Sequence, residues 1–76
     1  MQDHVINFIN NELLAERGIS VGLDDELLLN GHLDSMAIFQ LVAFIETDLG
    51  LSVPAQDITV ENFRTAAIIG QYLARL

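Results

Sequence analysis

The stretch HLDSMAIFQLVAFIE, His32–Glu46, decides how this chain folds. It opens with residues that can cap a helix and then turns apolar on nearly every side. Ile38, Leu41, Val42, Ile45 and Leu49 recur at i, i+3, i+4, i+7 and i+11, which is one helical face. Asp34 or Ser35 stands where a short side-chain oxygen can satisfy a free amide of the first turn. Gly50 stands where the helix must stop. The pattern predicts a helix from Asp34 or Ser35 to Leu49. Its apolar residues exceed what one core face uses. Met36, Phe39 and Ala43 fall on a second line, rotated away from the first, with Gln40 and Thr47 beside it and Glu46 continuing it. Exposed apolar surface of this kind marks a partner site, and methionine suits surfaces that meet several partners. Met36, Phe39, Gln40 and Ala43 are therefore the expected partner-binding residues. Phe44, at the side of the core stripe, is expected against the last helix.

Three further helices follow from the flanking sequence. The first is predicted from Asp3, a plausible cap, to Arg17, with Val5, Ile6, Ile9 and Leu13 facing inward and Phe8 widening the stripe. Gly18 can adopt the left-handed conformation that ends it. From Ile19 to Asp34 the helical period fails. Asp24 and Asp25 can cap a short turn at Glu26–Leu29, and Asn30-Gly31 breaks it. Leu27, Leu28, Leu29 and Leu33 are expected to fold this loop onto the core. A short helix is predicted between Thr59 and Phe63, after Pro54. The last is predicted from the cap Thr65 to Leu76, burying Ala66, Ile69, Tyr72, Leu73 and Leu76. Gly70 inside it costs about 1 kcal/mol against alanine and suggests close approach by another helix. No segment alternates with period two for long enough to be a strand. The expected fold is all-α, a small four-helix bundle of three longer helices and one short, in a single domain over residues 1–76.

Composition narrows the chemistry. A hydrophobic content of 51% calls for a packed core, not a disordered chain. There is no cysteine, so neither a disulfide, a zinc–thiolate site nor a protein thiol nucleophile is available. Eleven acidic residues face only Arg17, Arg64 and Arg75, for a net charge of −8. Nucleic acid and anionic membranes would be repelled, and proteins with basic patches are the expected partners. No basic leader precedes an apolar stretch at the N-terminus, and no apolar run approaches a bilayer span. A cytoplasmic monomer is expected.

The segment NGHLDSMAIFQLVAFIETDLGLSVPAQDITVENFRTAAIIGQYL, Asn30–Leu73, resembles the acyl and peptidyl carrier protein family. The likeness runs over nearly the whole chain: a leading helix, a long loop ending in glycine, Leu33-Asp34-Ser35-Met36, an amphipathic helix ending at Leu49-Gly50, an extended Val-Pro, a short ITVENF segment and a Thr-capped last helix. The resemblance implies a fold of the acyl-carrier type. It implies that Ser35 carries 4′-phosphopantetheine, installed by a phosphopantetheinyl transferase from coenzyme A with magnesium. Asp34 would help place that metal. The chain would be a non-catalytic carrier, holding an acyl or aminoacyl group as a thioester and presenting it to a loading ligase and downstream biosynthetic enzymes. Fatty-acid carriers typically show a strongly acidic second helix, whereas this one bears only Glu46 and Asp48. The chain is more similar to free-standing carriers of dissociated, specialised pathways. Phe44, Ile58, Phe63 and Ile68 could line a space for cargo, and such bulky side chains suggest a short or polar group.

Two other constellations are weak. His32, Asp34 and Ser35 are too close in sequence for hydrolase geometry. His4, His32, Asp24 and Asp25 have no recognisable ligand spacing. An acidic helical interaction adaptor without any prosthetic arm is the alternative that composition permits.

Overall fold

The computed structural model describes residues 1–76. It is all-α, with helices α1 (Gln2–Phe8), α2 (Ser35–Asp48), α3 (Val60–Phe63) and α4 (Ala66–Ala74) and no strand. Three are longer and one is short, as expected. No helix is long and apolar enough to cross a membrane. α1 packs against α4 and α2, and α3 against α4. The shared core includes Val5, Ile9, Leu14, Leu27, Leu41, Ile45, Phe63, Ile69 and Leu73, each at most 2% exposed.

The first helix departs from its predicted form. It begins at Gln2, so Asp3 lies in the first turn and not at the cap, where its charge still favours the helix dipole. Regular α-helix stops at Phe8. Ile9–Leu13 continue as a π-helical turn and Ala15–Arg17 as a 3₁₀ turn before Gly18. The Leu14 N–H reaches the Ile9 carbonyl at 2.9 Å, five residues back. That extra residue rotates the register, so Leu14 is fully buried and Leu13, the sequence expectation, only partly so. The same turn carries Asn10, whose Nδ2 donates to the Val21 carbonyl at 3.0 Å while its Oδ1 accepts from the Val21 N–H at 2.8 Å. One amide thus clips the start of the long loop to the first helix.

The loop holds no helix at Glu26–Leu29, only turns. It lies across the start of α4. The Ala67 N–H, which has no partner inside its own helix, donates to the Leu23 carbonyl at 3.0 Å, and the Leu27 N–H donates to the Arg64 carbonyl at 2.9 Å. Glu26 and Arg64 add an ion pair at 2.8 Å, which raises the Arg64 pKa. Leu27 and Leu33 are buried and Leu28 half-buried, but Leu29 is 65% exposed, against expectation. Successive residues of a tight turn point in different directions, and the core has room for only some of them.

Both ends of α2 follow the sequence. Gly50 follows the last turn with φ +70°, a conformation that favours glycine. α4 is capped by Thr65, whose Oγ1 accepts from the Ile68 N–H at 3.1 Å. It ends at Ala74, two residues early, which leaves Leu76 half exposed, not buried. Phe44 also departs from expectation. Its ring stacks on Phe8 of α1, centroids 4.3 Å apart, and not on α4.

Gly70 marks the predicted close approach. A Cβ there would stand 2.8 Å from the Gln2 Cβ and 3.1 Å from the Gln2 backbone. Gly70→Ala would gain about 1 kcal/mol of helix propensity. Overpacking costs roughly 1–3 kcal/mol, and the obstacle here is helix backbone and its Cβ, not a flexible side-chain end. The net expectation is a melting temperature lower by roughly 4–8 °C, the shift for about 1 kcal/mol in a domain of this size. A rise in thermal denaturation midpoint would show that α1 slides aside freely.

Candidate functional site

The site is built on the first turn of α2. Asp34 is in extended backbone conformation, and its Oδ1 accepts from the Ala37 N–H at 2.9 Å. That is the cap, and it leaves Oδ2 without a protein partner. Ser35 is the first helical residue and is exposed. Its hydroxyl makes no hydrogen bond within the protein. A serine at a helix start is most often a cap. Here the neighbouring aspartate does that work, so the Ser35 hydroxyl is left free beside the positive end of the helix dipole.

Two apolar surfaces meet at Ser35. One is the predicted strip: Met36 is 69% exposed and Phe39 65%, and together with Gln40 and Ala43 they border a shallow depression that Ser35 closes. The other is an open groove of about 450 Å³ between the loop, α2 and α3. Leu28 and Leu33 line it from the loop, Ile38 and Phe39 from α2, and Ile58, Val60 and Phe63 from the α3 side, with Asp34, Ser35 and Thr59 adding polar groups. Ser35 and Phe39 border both surfaces.

The cargo-space expectation is half corrected. Ile58 and Phe63 line the groove; Phe44 and Ile68 do not. Phe44 is held by Phe8, and Ile68 is half-buried on α4. Leu28 and Val60 were missed. Val60 follows the cap Thr59, whose Oγ1 accepts from the Asn62 N–H at 3.2 Å, and it is 48% exposed. An exposed valine beside a cap is a faint signal at most. The wall that Ile58 belongs to is fixed from behind. The Tyr72 hydroxyl donates to Asp57 Oδ2 at 2.6 Å, and burial, then that bond, push its pKa up to about 12.

Arg17 is a further residue that sequence reasoning left out of the site. Its Nη1 donates to the His32 carbonyl at 2.8 Å, tying the end of the first helical segment to the loop just before Asp34. His32, Asp34 and Ser35 are joined by no side-chain hydrogen bond; Asp34 is committed to its cap. His4, His32, Asp24 and Asp25 are not brought into a common ligand set. Asp25 instead accepts from the Gly22 N–H at 2.7 Å.

Comparison with protein-family models and with curated protein sequences finds no match.

Proposed function

We propose that the chain is a carrier of the acyl-carrier type, with Ser35 as the attachment point for 4′-phosphopantetheine. The observation that carries this is the division of labour at the start of α2: Asp34 caps the helix, and Ser35 is exposed and unbonded. The residues present fit the group. A phosphodiester on Ser35 would lie at a helix N-terminus, where negative charge is favoured, beside an apolar groove open enough for part of an arm. When bound, the arm supplies the thiol for a thioester, which this cysteine-free chain does not have.

The chain's own residues have simpler tasks. Ser35 offers a primary hydroxyl in a fixed place. Asp34 holds the first helical turn through Oδ1 and keeps Oδ2 for a metal ion held by the transferase. Arg17 and Asn10 tie the preceding loop to the first helical segment, which holds the backbone leading into Ser35. Met36, Phe39, Gln40 and Ala43 form the surface on which a transferase, a loading ligase and later enzymes would dock. The carrier performs no chemistry of its own; tethering raises the concentration of cargo that each enzyme meets. The test is intact mass after incubation with coenzyme A, magnesium and a broad-specificity phosphopantetheinyl transferase. The expected product is heavier by one arm. A chain that stays bare while a known carrier is modified in the same tube would overturn the assignment and favour an adaptor without an arm.

Phe39→Ser tests the docking surface separately. Phe39 is 65% exposed, so the melting temperature should barely move, within the ±0.5 kcal/mol usual for surface changes. Loss of an apolar anchor should raise the transferase KM about tenfold. A large fall in melting temperature with an unchanged KM would place Phe39 in the fold instead.

A further inference from the structure

The α3 wall of the groove beside Ser35 belongs to a strap held at few points. Nine residues, Pro54–Asn62, contain no buried side chain, while Val53 before them and Phe63 after them are buried. The Val53 N–H is fixed by Glu46 Oε2 at 3.0 Å. Bonds inside the strap are its own: Asn62 Nδ2 and the Thr59 N–H both donate to the Asp57 carbonyl at 2.9 Å, and the Ile58 N–H donates to the Ala55 carbonyl at 3.1 Å. One hydrogen bond ties the strap to another element, from the Tyr72 hydroxyl of α4 to Asp57 Oδ2 at 2.6 Å. We infer that this bond is a latch, and that the strap, hinged at Val53 and Phe63, is a lid that closes over an apolar guest in the groove when the latch is released.

The internal bonds let the strap shift as one piece. α3 is a single turn, too short to be stable as a helix on its own. Ile58 is the one apolar side chain of the strap packed against the core, and it is only partly buried. Segments with so few buried apolar contacts open at a lower free energy than the core. In the latched position a guest would be covered on one side only. Val60 on the strap and Phe39 on α2, on opposite walls of the groove, are 48% and 65% exposed. Movement of the strap toward α2 buries both against a guest, and that gain in buried apolar area favours the unlatched form once the groove is occupied. Where Ser35 carries an arm, as proposed above, the guest is the group the arm bears, and the latch governs its shelter.

Tyr72→Phe removes the latch and keeps the ring that packs beside Phe63. The test compares this variant with the parent chain by amide hydrogen exchange in low urea and by fluorescence titration with N-phenyl-1-naphthylamine, a neutral apolar probe. In the parent, the amides of Ile58, Asn62 and Phe63 should exchange through an opening that low urea hardly changes, while those of Leu41 and Ile45 follow global unfolding. Tyr72→Phe should speed the strap amides about tenfold, the lower end of what a hydrogen bond to a charged group contributes. It should tighten probe binding by the same factor, because the unlatched form is the one that binds. Asp57→Ala should do the same, and decides alone if Tyr72→Phe fails to fold. Asp57→Asn keeps an oxygen for the hydroxyl and should change both readouts less than Asp57→Ala. Strap amides that follow urea in step with Leu41 and Ile45 would show no separate opening. Unchanged exchange on loss of the hydroxyl would deny the latch, and faster exchange with unchanged probe affinity would detach the strap from the groove. Each of these three results would overturn the inference. None of the readouts involves modification of Ser35, so their failure is a separate result from a bare chain in the mass test.

Discussion

Ser35→Ala keeps its unmodified mass after incubation with coenzyme A, magnesium and a broad-specificity transferase, while its helical circular dichroism matches that of the parent chain. The expected effect is all-or-none, because the substitution removes the oxygen to which the arm would be joined. It should be silent in stability for a structural reason. Ser35 is exposed, and the cap bond at the start of α2 comes from Asp34. Exposed substitutions that break no such feature stay within about ±0.5 kcal/mol. The two readouts separate the possibilities. Continued modification of the variant would move the attachment to another hydroxyl, such as Ser20 or Ser52. Loss of both mass gain and helicity would mean that Ser35 holds the helix after all, and the free-hydroxyl premise would fail.

Phe63→Ala should lower the stability of the fold by about 3–5 kcal/mol. Phe63 is fully buried, sits at the end of α3, and tilts its ring against Tyr72 with centroids 6.1 Å apart. Removing a buried phenylalanine costs about 3–5 kcal/mol, the lost transfer energy plus the cavity left behind. The whole stability of a chain this size is about 4–11 kcal/mol at 0.05–0.15 kcal/mol per residue. One substitution therefore removes between about a quarter and all of it. Urea denaturation should show a midpoint lower than the parent value by about a quarter or more, with an unchanged slope. The same side chain lines the groove beside Ser35, so the effect links the core to the candidate site. A midpoint close to the parent's would show that α3 adds little to the core and that the groove wall is soft.

The candidate site was largely legible before any fold was known, because its signals are local. α2 carries two apolar stripes where one serves the core. Geometry alone then requires Met36 and Phe39 to face outward once Ile38, Leu41, Val42 and Ile45 face inward. The structure has them so. Thr65 was readable as a cap for the same reason: a cap is a bond to an amide three residues away. Whether Asp34 or Ser35 caps α2 was not readable, since both have the right oxygen. Only backbone direction at the turn assigns the bond to Asp34 and frees the serine.

By itself, then, the sequence determined the all-α class, the four helices, most of the inward face of each, the close contact at Gly70 and the exposed strip on α2. These rest on periodicity and capping, which act within a few residues. Tertiary structure alone decided the rest: the π turn that buries Leu14 in place of Leu13, the choice of Leu27 and Leu33 over Leu29, the pairing of Phe44 with Phe8, the early end of α4, and the groove that Leu28 and Val60 complete. In each case apolar neighbours in the sequence were equally fit for burial, or free to choose between partners. The selection was made by elements distant along the chain competing for one small core.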